Sequence, residues 1–285
     1  MKTYKQNAYK TLMALASGKT INGISCPDMK PPKTIKLLGS STKVEKSKTV
    51  NVLSSVLYLA PSDSSGIKKN GKRINVCPHA TSFCRSACLG LVSGRMKFKT
   101  NFNARLWKTA LFLTQPKVFG NLLIHEIRSK REEAIKKKMI CAIRLNGSSD
   151  IDFVNRFKLN TLFPDVMFYE YTKTPNRIKG FKKSVNDNYH LTYSANSAPQ
   201  SKKISELALS KGLSVSAIVE KEDLTNKEIE NLLMQVVHDR NLVSNIENGD
   251  STDARFLDNK SSLVTLKIKG GKTALQNMGK DVFKV

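Results

Sequence analysis

Three of the five cysteines of this chain lie within twelve residues of one another. Cys77, Cys84 and Cys88 have the spacing C-x6-C-x3-C in the stretch NVCPHATSFCRSACLG, residues 75–90. Thiolates are soft ligands that suit iron–sulfur clusters and zinc. The loop lacks the paired C-x2-C arms of usual zinc modules, which favours an iron–sulfur cluster with one open iron. The alternatives are zinc, with His79 as a fourth ligand, and buried thiols that bind no metal.

The remaining two cysteines and the hydropathy pattern define the class of protein. Cys26 lies in an irregular segment and Cys141 inside an apolar strand, so both are interpreted as structural. An odd, clustered set of cysteines is not a disulfide framework and indicates a reducing, intracellular compartment. No run of eighteen apolar residues occurs, so we expect no membrane partner.

Further chemistry-bearing side chains follow three predicted strands. The groups are Arg144, Asn146, Ser148, Ser149 and Asp150; Tyr171, Thr172, Lys173, Asn176 and Arg177; and Ser194, Asn196 and Ser197. The carboxyl ends of parallel strands form the active-site edge of α/β folds, so we expect all three groups to line one mouth with the cysteine loop.

Roles can be assigned to these side chains as hypotheses. Asn146, Ser149 and Asp150 would position a cofactor, with Tyr171 and Ser194 beside it. A phosphate or carboxylate would be bound by Lys173, Asn176 and Arg177. Lys173 and Asp150 are also the candidates for catalytic groups.

The elements that would position this mouth alternate between strand and helix. Residues 51–61 (NVLSSVLYLAP) predict the first strand, and residues 97–138 predict two helices that are separated near Gln115 and Pro116. Later apolar runs predict further strands, namely MICAIRLNGSSD, DVMFYEYTKTPNR, YHLTYSANSAP, LSVSAIVE, LLMQVVHDR and LVTLKIKG. Thr225 and Glu228 form a capping box that opens one intervening helix. This alternation indicates a mostly parallel sheet, open or closed into a (β/α) barrel.

One near-match to a phosphate-binding loop is rejected. The stretch GIKKNGKR has the G-x4-G-K spacing at Gly66 and Gly71, but Arg73 stands where the motif needs a Ser or Thr hydroxyl. No helix is predicted to follow. The chain is therefore not expected to be a nucleoside triphosphatase.

The charge of the chain favours a polyanionic partner. It has 48 Lys and Arg against 23 Asp and Glu, a net charge of +25. Residues 1–76 carry 14 basic and 3 acidic residues, whereas residues 220–258 carry 4 and 10. Phosphate contacts release condensed counterions, so nucleic acid or a nucleotide is the favoured partner. A lysine-rich surface that only keeps the protein soluble is the alternative.

Several segments together resemble one bacteriophage family. They are YLAPSDSSG, NVCPHATSFCRSACLG, RLNGSSDIDF, FPDVMFYEYTKTPNR, YHLTYSANS and VVHDR, followed by GDSTDARFLD. Over residues 57–270 the chain is similar to the "gene product 88" domain family, which implies a phage origin and the host cytoplasm as location. Asp239, Asp253 and Arg255 lie in these segments. They would anchor a ribose or a metal-bound water, with Asp239 as a catalytic candidate, or would pair with each other on the surface.

A looser similarity is to phage proteins related to radical S-adenosylmethionine enzymes. It rests on the cysteine loop after the first strand and on the Tyr-Thr-Lys-x-Pro-x-Arg element at residues 171–177. In that superfamily three thiolates hold a cubane cluster whose open iron binds the methionine moiety. The implied cofactors are an iron–sulfur cluster and S-adenosylmethionine. The usual spacing there is C-x3-C-x2-C, from which this chain departs.

The expected architecture is therefore an α/β fold with a partial or full (β/α) barrel that is radical-SAM-like. Residues 1–50 would form a basic helix and irregular extension, and residues 51–285 the barrel-like domain. The leading functional hypothesis is a phage iron–sulfur enzyme that acts on nucleic acid or a nucleotide. The alternatives are a basic nucleic-acid-binding protein with a structural metal site and a host-directed interaction protein.

Overall fold

We describe a computed structural model of the chain, which covers residues 1–92, 94–182, 187–269 and 281–284. The α-helices are α1 (Lys2–Ala16), α2 (Thr42–Glu45), α3 (Ser82–Ser86), α4 (Leu89–Val92), α5 (Lys99–Thr114), α6 (Pro116–Lys136), α7 (Phe153–Phe157), α8 (Leu159–Leu162), α9 (Pro175–Gly180), α10 (Ser201–Ser210) and α11 (Asn226–Val236). The strands are β1 (Ile24–Ser25), β2 (Leu38–Gly39), β3 (Val52–Leu57), β4 (Lys68–Lys69), β5 (Lys72–Arg73), β6 (Ile140–Arg144), β7 (Met167–Thr172), β8 (Tyr189–Ser194), β9 (Ser214–Val219), β10 (Asn245–Asn248), β11 (Ser262–Lys267) and β12 (Val282–Phe283). Short 3-10 helices occupy Lys46–Val50, Gly94–Lys97, Arg240–Leu242 and Arg255–Leu257.

Most of these strands form one mostly parallel sheet. Its order is β10-β11-β9-β8-β7-β6-β3-β2, and β12 pairs with the end of β9. Only the β2–β3 pair is antiparallel among the described strands of this sheet. The expectation of an α/β fold with a mostly parallel sheet is confirmed. The described path does not close, since β10 lies at one edge and β2 at the other.

From β3 to β9 the strands of this sheet are neighbours in the order in which they occur along the chain. Connections between parallel strands are almost always right-handed, so the helices collect on one face. That face is apolar: Leu53, Ile143 and Phe168 belong to the same core as Phe119 of α6. Alternation along each strand sends the remaining side chains to the opposite face.

We call this opposite surface the inner face of the sheet, and it is rich in polar groups. Its residues include Ser54, Ala142, Arg144, Tyr169, Tyr171, His190, Thr192, Ser214 and Ser216, which share one face through the strand registers. Residues 253–256 pack against this face, where Ala254 contacts the cluster formed by Val52, Ala142 and Tyr169. The inner face is therefore covered by the chain rather than exposed to solvent.

The predicted helix pair over residues 97–138 is confirmed as α5 and α6. Gln115 ends the first helix, and Pro116 opens the second at its first position, where a missing N–H costs nothing. Three aromatic rings join this pair to α7, since Phe112 lies 5.3 Å from Phe119 and 5.1 Å from Phe153 between ring centroids.

Among the described helices, none combines the length and apolar character that a membrane span requires.

One predicted strand is wrong. The run LLMQVVHDR belongs largely to helix α11, which begins at the capping box of Thr225 and Glu228. Leu232, Leu233 and Val236 are buried and recur with the spacing of a helix face. The helical period and the capping box together outweigh the strand propensity of the two valines.

The N-terminal fifty residues are tied to the rest of the fold. Helix α1 packs against α5 and α6, and β2 pairs with β3 through Leu38 and Leu57. The carboxylate of Glu126 on α6 accepts the N–H groups of Leu37 and Leu38, both at 2.8 Å. Lys108 on α5 donates to the carbonyl of Leu37 at 2.7 Å. Two charged side chains thus hold the backbone that leads into β2.

We expect Glu126→Gln to lower the free energy of unfolding by about 1–3 kcal/mol, because an amide nitrogen would face one of two part-buried N–H groups. Urea unfolding followed by circular dichroism measures this loss. The matched control is Glu132→Gln, an exposed position further along α6, which should stay within about 0.5 kcal/mol of the parent. Equal effects of the two substitutions would contradict the assigned role of Glu126.

Candidate functional site

The cysteine loop follows β3, and its first thiol is held between two strand ends. The Ser62 N–H donates to Sγ of Cys77 at 3.3 Å, and the thiol donates to the carbonyl of Ser148 at 3.7 Å. The Cys77 N–H donates to Oδ1 of Asn75 at 2.8 Å. Ser148 belongs to the loop after β6, so Cys77 lies where the carboxyl ends of β3 and β6 meet.

The other two cysteines of the loop are positioned by a short helix and by α5. Thr81 caps α3, and its hydroxyl accepts the N–H of Cys84 at 3.1 Å. Beyond Cys88, the guanidinium of Arg105 donates to the carbonyl of Gly90. The same guanidinium donates to a second carbonyl in the following 3-10 helix at 2.7 Å. A buried arginine from α5 therefore fixes the chain that leaves the loop.

The three thiols are close enough to influence one another electrostatically. Burial raises the pKa of Cys77 to about 12 and that of Cys88 to about 11, and it also raises the pKa of Cys84. Negative charge on Cys88 and Cys84 raises the pKa of Cys77 further, while the Ser62 N–H opposes this rise. Burial outweighs the nearby Lys173 and Arg105 charges, so the protonated thiols are the stable form at neutral pH.

The described residues do not bring these thiols together as ligands of a single ion. No group of three or more His, Cys, Asp or Glu side chains among them could hold a metal ion. His79, the predicted fourth zinc ligand, is exposed on the same loop. Cys26 is half-buried and Cys141 is buried, both outside the loop.

Asp150 connects the cysteine loop to the ends of β6 and β7. Its N–H donates to the carbonyl of Val76 at 2.9 Å. Its carboxylate accepts four hydrogen bonds from the end of β7 through α9: from Thr172 Oγ1 (2.8 Å), Lys173 N (2.9 Å), Thr174 Oγ1 (3.0 Å) and an Arg177 nitrogen (2.7 Å). The structure thus brings part of the first two groups of predicted site residues together at the cysteine loop, namely Ser148, Asp150, Thr172, Lys173 and Arg177.

Lys173 joins the third group to the same edge. Its Nζ donates to Ser194 Oγ at 3.1 Å and to the carbonyls of Ser194 and Ala195, both at 3.4 Å. Burial lowers the pKa of Lys173, whereas the charges of Cys84, Asp281 and Asp150 oppose this shift. The amine therefore lies within electrostatic range of Cys84 and adds a positive charge to a site with two carboxylates.

Arg177 is the centre of a buried polar network below the site. Its guanidinium forms an ion pair with Glu170, donates to Tyr189 Oη at 2.5 Å, and pairs with Asp150. Asn146 donates to Glu170 at 2.6 Å and accepts the hydroxyl of Ser149 at 2.7 Å. Asn146 and Arg177 thus both donate to the Glu170 carboxylate, and Ser149 joins this network by donating to Asn146.

Asp281 is a site residue that sequence reasoning missed. It precedes β12, and its buried carboxylate accepts the hydroxyl of Thr81 as well as the N–H and hydroxyl of Ser197, at 2.8 and 2.5 Å. Burial alone would raise the pKa of this carboxyl, but the hydrogen bonds from Ser197 and Thr81 outweigh burial and lower it. No local pattern marks Asp281, because its partners lie far away along the chain.

Tyr171 lies on the inner face rather than at the rim. Its ring stacks under the guanidinium of Arg144, 4.8 Å from the ring centroid, and Arg144 in turn pairs with Asp253 at 2.8 Å. The hydroxyls of Tyr171, Thr192 and Ser214 are opposite one another on adjacent strands and are buried without a hydrogen-bond partner among the described residues. Buried polar groups require partners, so this row suits a polar ligand or water.

Two predicted site residues lie apart from the others. Asp239 caps the 3-10 helix Arg240–Leu242, and its N–H donates to Glu206 of α10 at 3.0 Å. Asn176 borders a cavity of about 590 Å³ between α7, α8 and α9, on the helix side of the sheet. Their roles stay predictions, and the cysteine loop does not line that cavity.

We expect the thiols of the metal-free folded protein to react slowly with iodoacetamide. With the pKa of Cys88 at about 11, about a thousandth of that thiol is ionised at pH 8, against about a quarter for an ordinary cysteine. In a Cys26→Ser, Cys141→Ser background, alkylation should be at least about tenfold slower than in the urea-unfolded chain and should accelerate up to pH 11. Mass spectrometry measures the rate, and equal rates in both states would refute the assigned burial.

Comparison with known proteins identifies the family. A family model described as "Gene product 88" matches residues 34–280, including the cysteine loop, Asp150 and the strand ends around it. No curated protein and no solved structure matches the chain. The match confirms the resemblance predicted over residues 57–270 and extends it at both ends. The chain therefore belongs to the bacteriophage gene product 88 family.

Proposed function

We propose that this protein is an iron–sulfur enzyme of the radical S-adenosylmethionine type that acts on nucleic acid or a nucleotide. One observation carries the proposal: three half-buried thiols occupy a single loop after β3, the first strand of a run of parallel neighbours in chain order. A partial (β/α) barrel has this strand order. The carboxyl ends of such strands are the usual place for catalysis.

The donor set suits a cluster better than a single ion. A tetrahedral zinc ion needs four donors about 2.3 Å or less from one point, and the described residues offer no such group. A cluster with one open iron needs only three thiolates from the protein, which is the number that this loop offers. Cys77, Cys84 and Cys88 would hold it, leaving one iron open. One-electron chemistry is what such a cluster supplies together with S-adenosylmethionine when both are bound.

The residues around the thiols would bind the polar parts of cofactor and substrate. The Lys173 ammonium, within electrostatic range of Cys84, would exchange hydrogen bonds with Ser194 for a carboxylate or phosphate of the ligand. Asp150 orients the loop that carries Lys173 by accepting its backbone N–H. The hydroxyls of Tyr171 and Thr192 can donate hydrogen bonds to a polar ligand on the inner face.

A second candidate is a nucleic-acid-binding protein in which a metal only braces the fold. One observation favours it: Asp150 accepts four hydrogen bonds and Arg177 pairs with two carboxylates, so both are engaged by internal partners. Side chains used in this way stabilise a loop more than they recognise a ligand. In that case nucleic-acid binding would weaken steeply with salt and survive removal of the metal.

We expect anaerobically purified protein to be brown, with iron and acid-labile sulfide, and Cys84→Ala to lose both. Absorption spectra and elemental analysis measure this. The matched control is Cys26→Ala, which removes a half-buried thiol outside the loop and should keep full iron content. Stoichiometric zinc would reject the enzyme and leave the second candidate. No metal in any preparation would reject the enzyme as well as the structural metal of the second candidate, and would leave only its nucleic-acid binding.

We expect Lys173→Met to retain iron but to lower reductive cleavage of S-adenosylmethionine by about tenfold or more, because an anion-binding charge within electrostatic range of Cys84 is removed. Chromatographic detection of 5′-deoxyadenosine measures this activity. The control is Lys211→Met. Lys211 likewise donates to backbone carbonyls, those of Ile178, Lys179 and Phe181, but beside α9. Equal decreases in both variants would indicate a structural role for Lys173.

A further inference from the structure

A basic hairpin stands directly before the cysteine loop. Strands β4 and β5 are joined by Asn70 and Gly71, whose φ angles of +48° and +81° suit a two-residue hairpin turn. The Asn70 N–H donates to the carbonyl of Gly23 at 2.9 Å, and β4 pairs with β1. The hairpin is therefore held against the body of the protein rather than free.

The cross-strand pairs of this hairpin join like charges. Lys68 is opposite Arg73, and Lys69 is opposite Lys72, with all four side chains exposed. None of the four forms an ion pair with a described residue. Like charges directly opposite one another destabilise an antiparallel pair. This arrangement costs stability in the isolated chain, and an external polyanion would relieve it.

The neighbouring sequence adds no compensating charge. Residues 64–125 contain eleven Lys and Arg and no Asp or Glu. They include the whole cysteine loop and Arg85, which is exposed on α3 next to Cys84. The segment from the hairpin through the cysteine loop therefore carries only basic charged side chains, while Asp150 and Asp281 act on the thiols from other parts of the fold.

The hairpin is also anchored close to the candidate site. Ile67 at its base is fully buried, and its carbonyl accepts the Ile74 N–H at 3.0 Å. Arg73 precedes Cys77 by four residues, so their Cα atoms are at most about 14 Å apart. A strand of nucleic acid bound along the hairpin would thus lie within a few nucleotides of the cysteine loop.

We propose that residues 68–73 are a docking surface for the phosphate backbone of a nucleic acid whose bases reach the cysteine loop. The inference rests on the proposed function in taking nucleic acid as the substrate class, and it deepens that function by naming where the substrate binds. Residues 68–73 contain no apolar side chain to insert into a bilayer, which favours nucleic acid over an anionic membrane.

The test compares two variants from which the same charge is removed. The hairpin variant carries Gln at Lys68, Lys69, Lys72 and Arg73. The control carries Gln at Arg128, Lys136, Lys138 and Lys260, which are exposed and form no ion pair with a described residue. Fluorescence anisotropy with a labelled single-stranded oligonucleotide, between about 50 and 200 mM salt, gives affinity and its salt dependence.

We expect the hairpin variant to bind about tenfold or more weakly. The slope of log K against log salt should fall by about 0.7 for each phosphate that the protein no longer neutralises, or about 2.8 for four. The control should change the slope by less than about one. The hairpin variant should also unfold at the same or a higher temperature than the parent, because like-charge pairs have been removed.

Three results would overturn the docking surface. They are an unchanged slope in the hairpin variant, an equal change in the control, and binding of the parent to anionic phospholipid vesicles but not to the oligonucleotide. Iron content measured on the same samples separates the two proposals. Iron-loaded protein with hairpin-independent binding would keep the enzyme and reject the docking surface. Metal-free protein with hairpin-dependent binding would reject the enzyme and keep the docking surface.

Discussion

The carboxylate of Asp150 is the constraint on which the geometry of the site depends. It accepts four hydrogen bonds from the end of β7 through α9, and the Asp150 N–H reaches back to the cysteine loop at Val76. Removing the carboxylate would leave several donors without an acceptor at once, at about 1–3 kcal/mol for each buried group. The cysteine loop, the loop after β6 and the segment after β7 are therefore joined by the hydrogen bonds of one residue. A displacement of any one of them would strain the hydrogen bonds to the other two. Such coupling suits a site that must hold its thiols and Lys173 in fixed relation.

The sheet is also unusual in the chemistry of its inner face. Most parallel sheets are apolar on both sides, yet this one places a half-buried Arg144, a buried Tyr169 and a half-buried Tyr171 on its inner face, where residues 253–256 pack. The charge of Arg144 is matched by both oxygens of Asp253, at 2.8 and 2.9 Å, which offsets much of its desolvation. Burying polar groups in this way costs stability relative to an apolar interior.

Much of this arrangement could be predicted from local patterns, and the rest depends on long-range partners. The strands β3, β6, β7, β8 and β9 are short β-branched or aromatic runs between polar segments, and each was predicted. Strand β10 was not, since its sequence NIEN is polar and it lies at the sheet edge. Glu170 is recognisable from the sequence as a site candidate that the predictions omit, because it is the single carboxylate inside an otherwise apolar strand. Asp281 carried none, because its role exists only once Thr81 and Ser197 are folded beside it.

The bond between Asp281 and Thr81 joins positions that are 200 residues apart. During synthesis, the cysteine-bearing helix α3 emerges from the ribosome long before the carboxylate that completes its cap. A nascent chain can therefore form β3 and expose Cys84 while the final shape of the loop is still unset. The hydrogen bond that completes the cap of α3 therefore forms only after residue 281 has been synthesised, although the thiols themselves are made about 200 residues earlier.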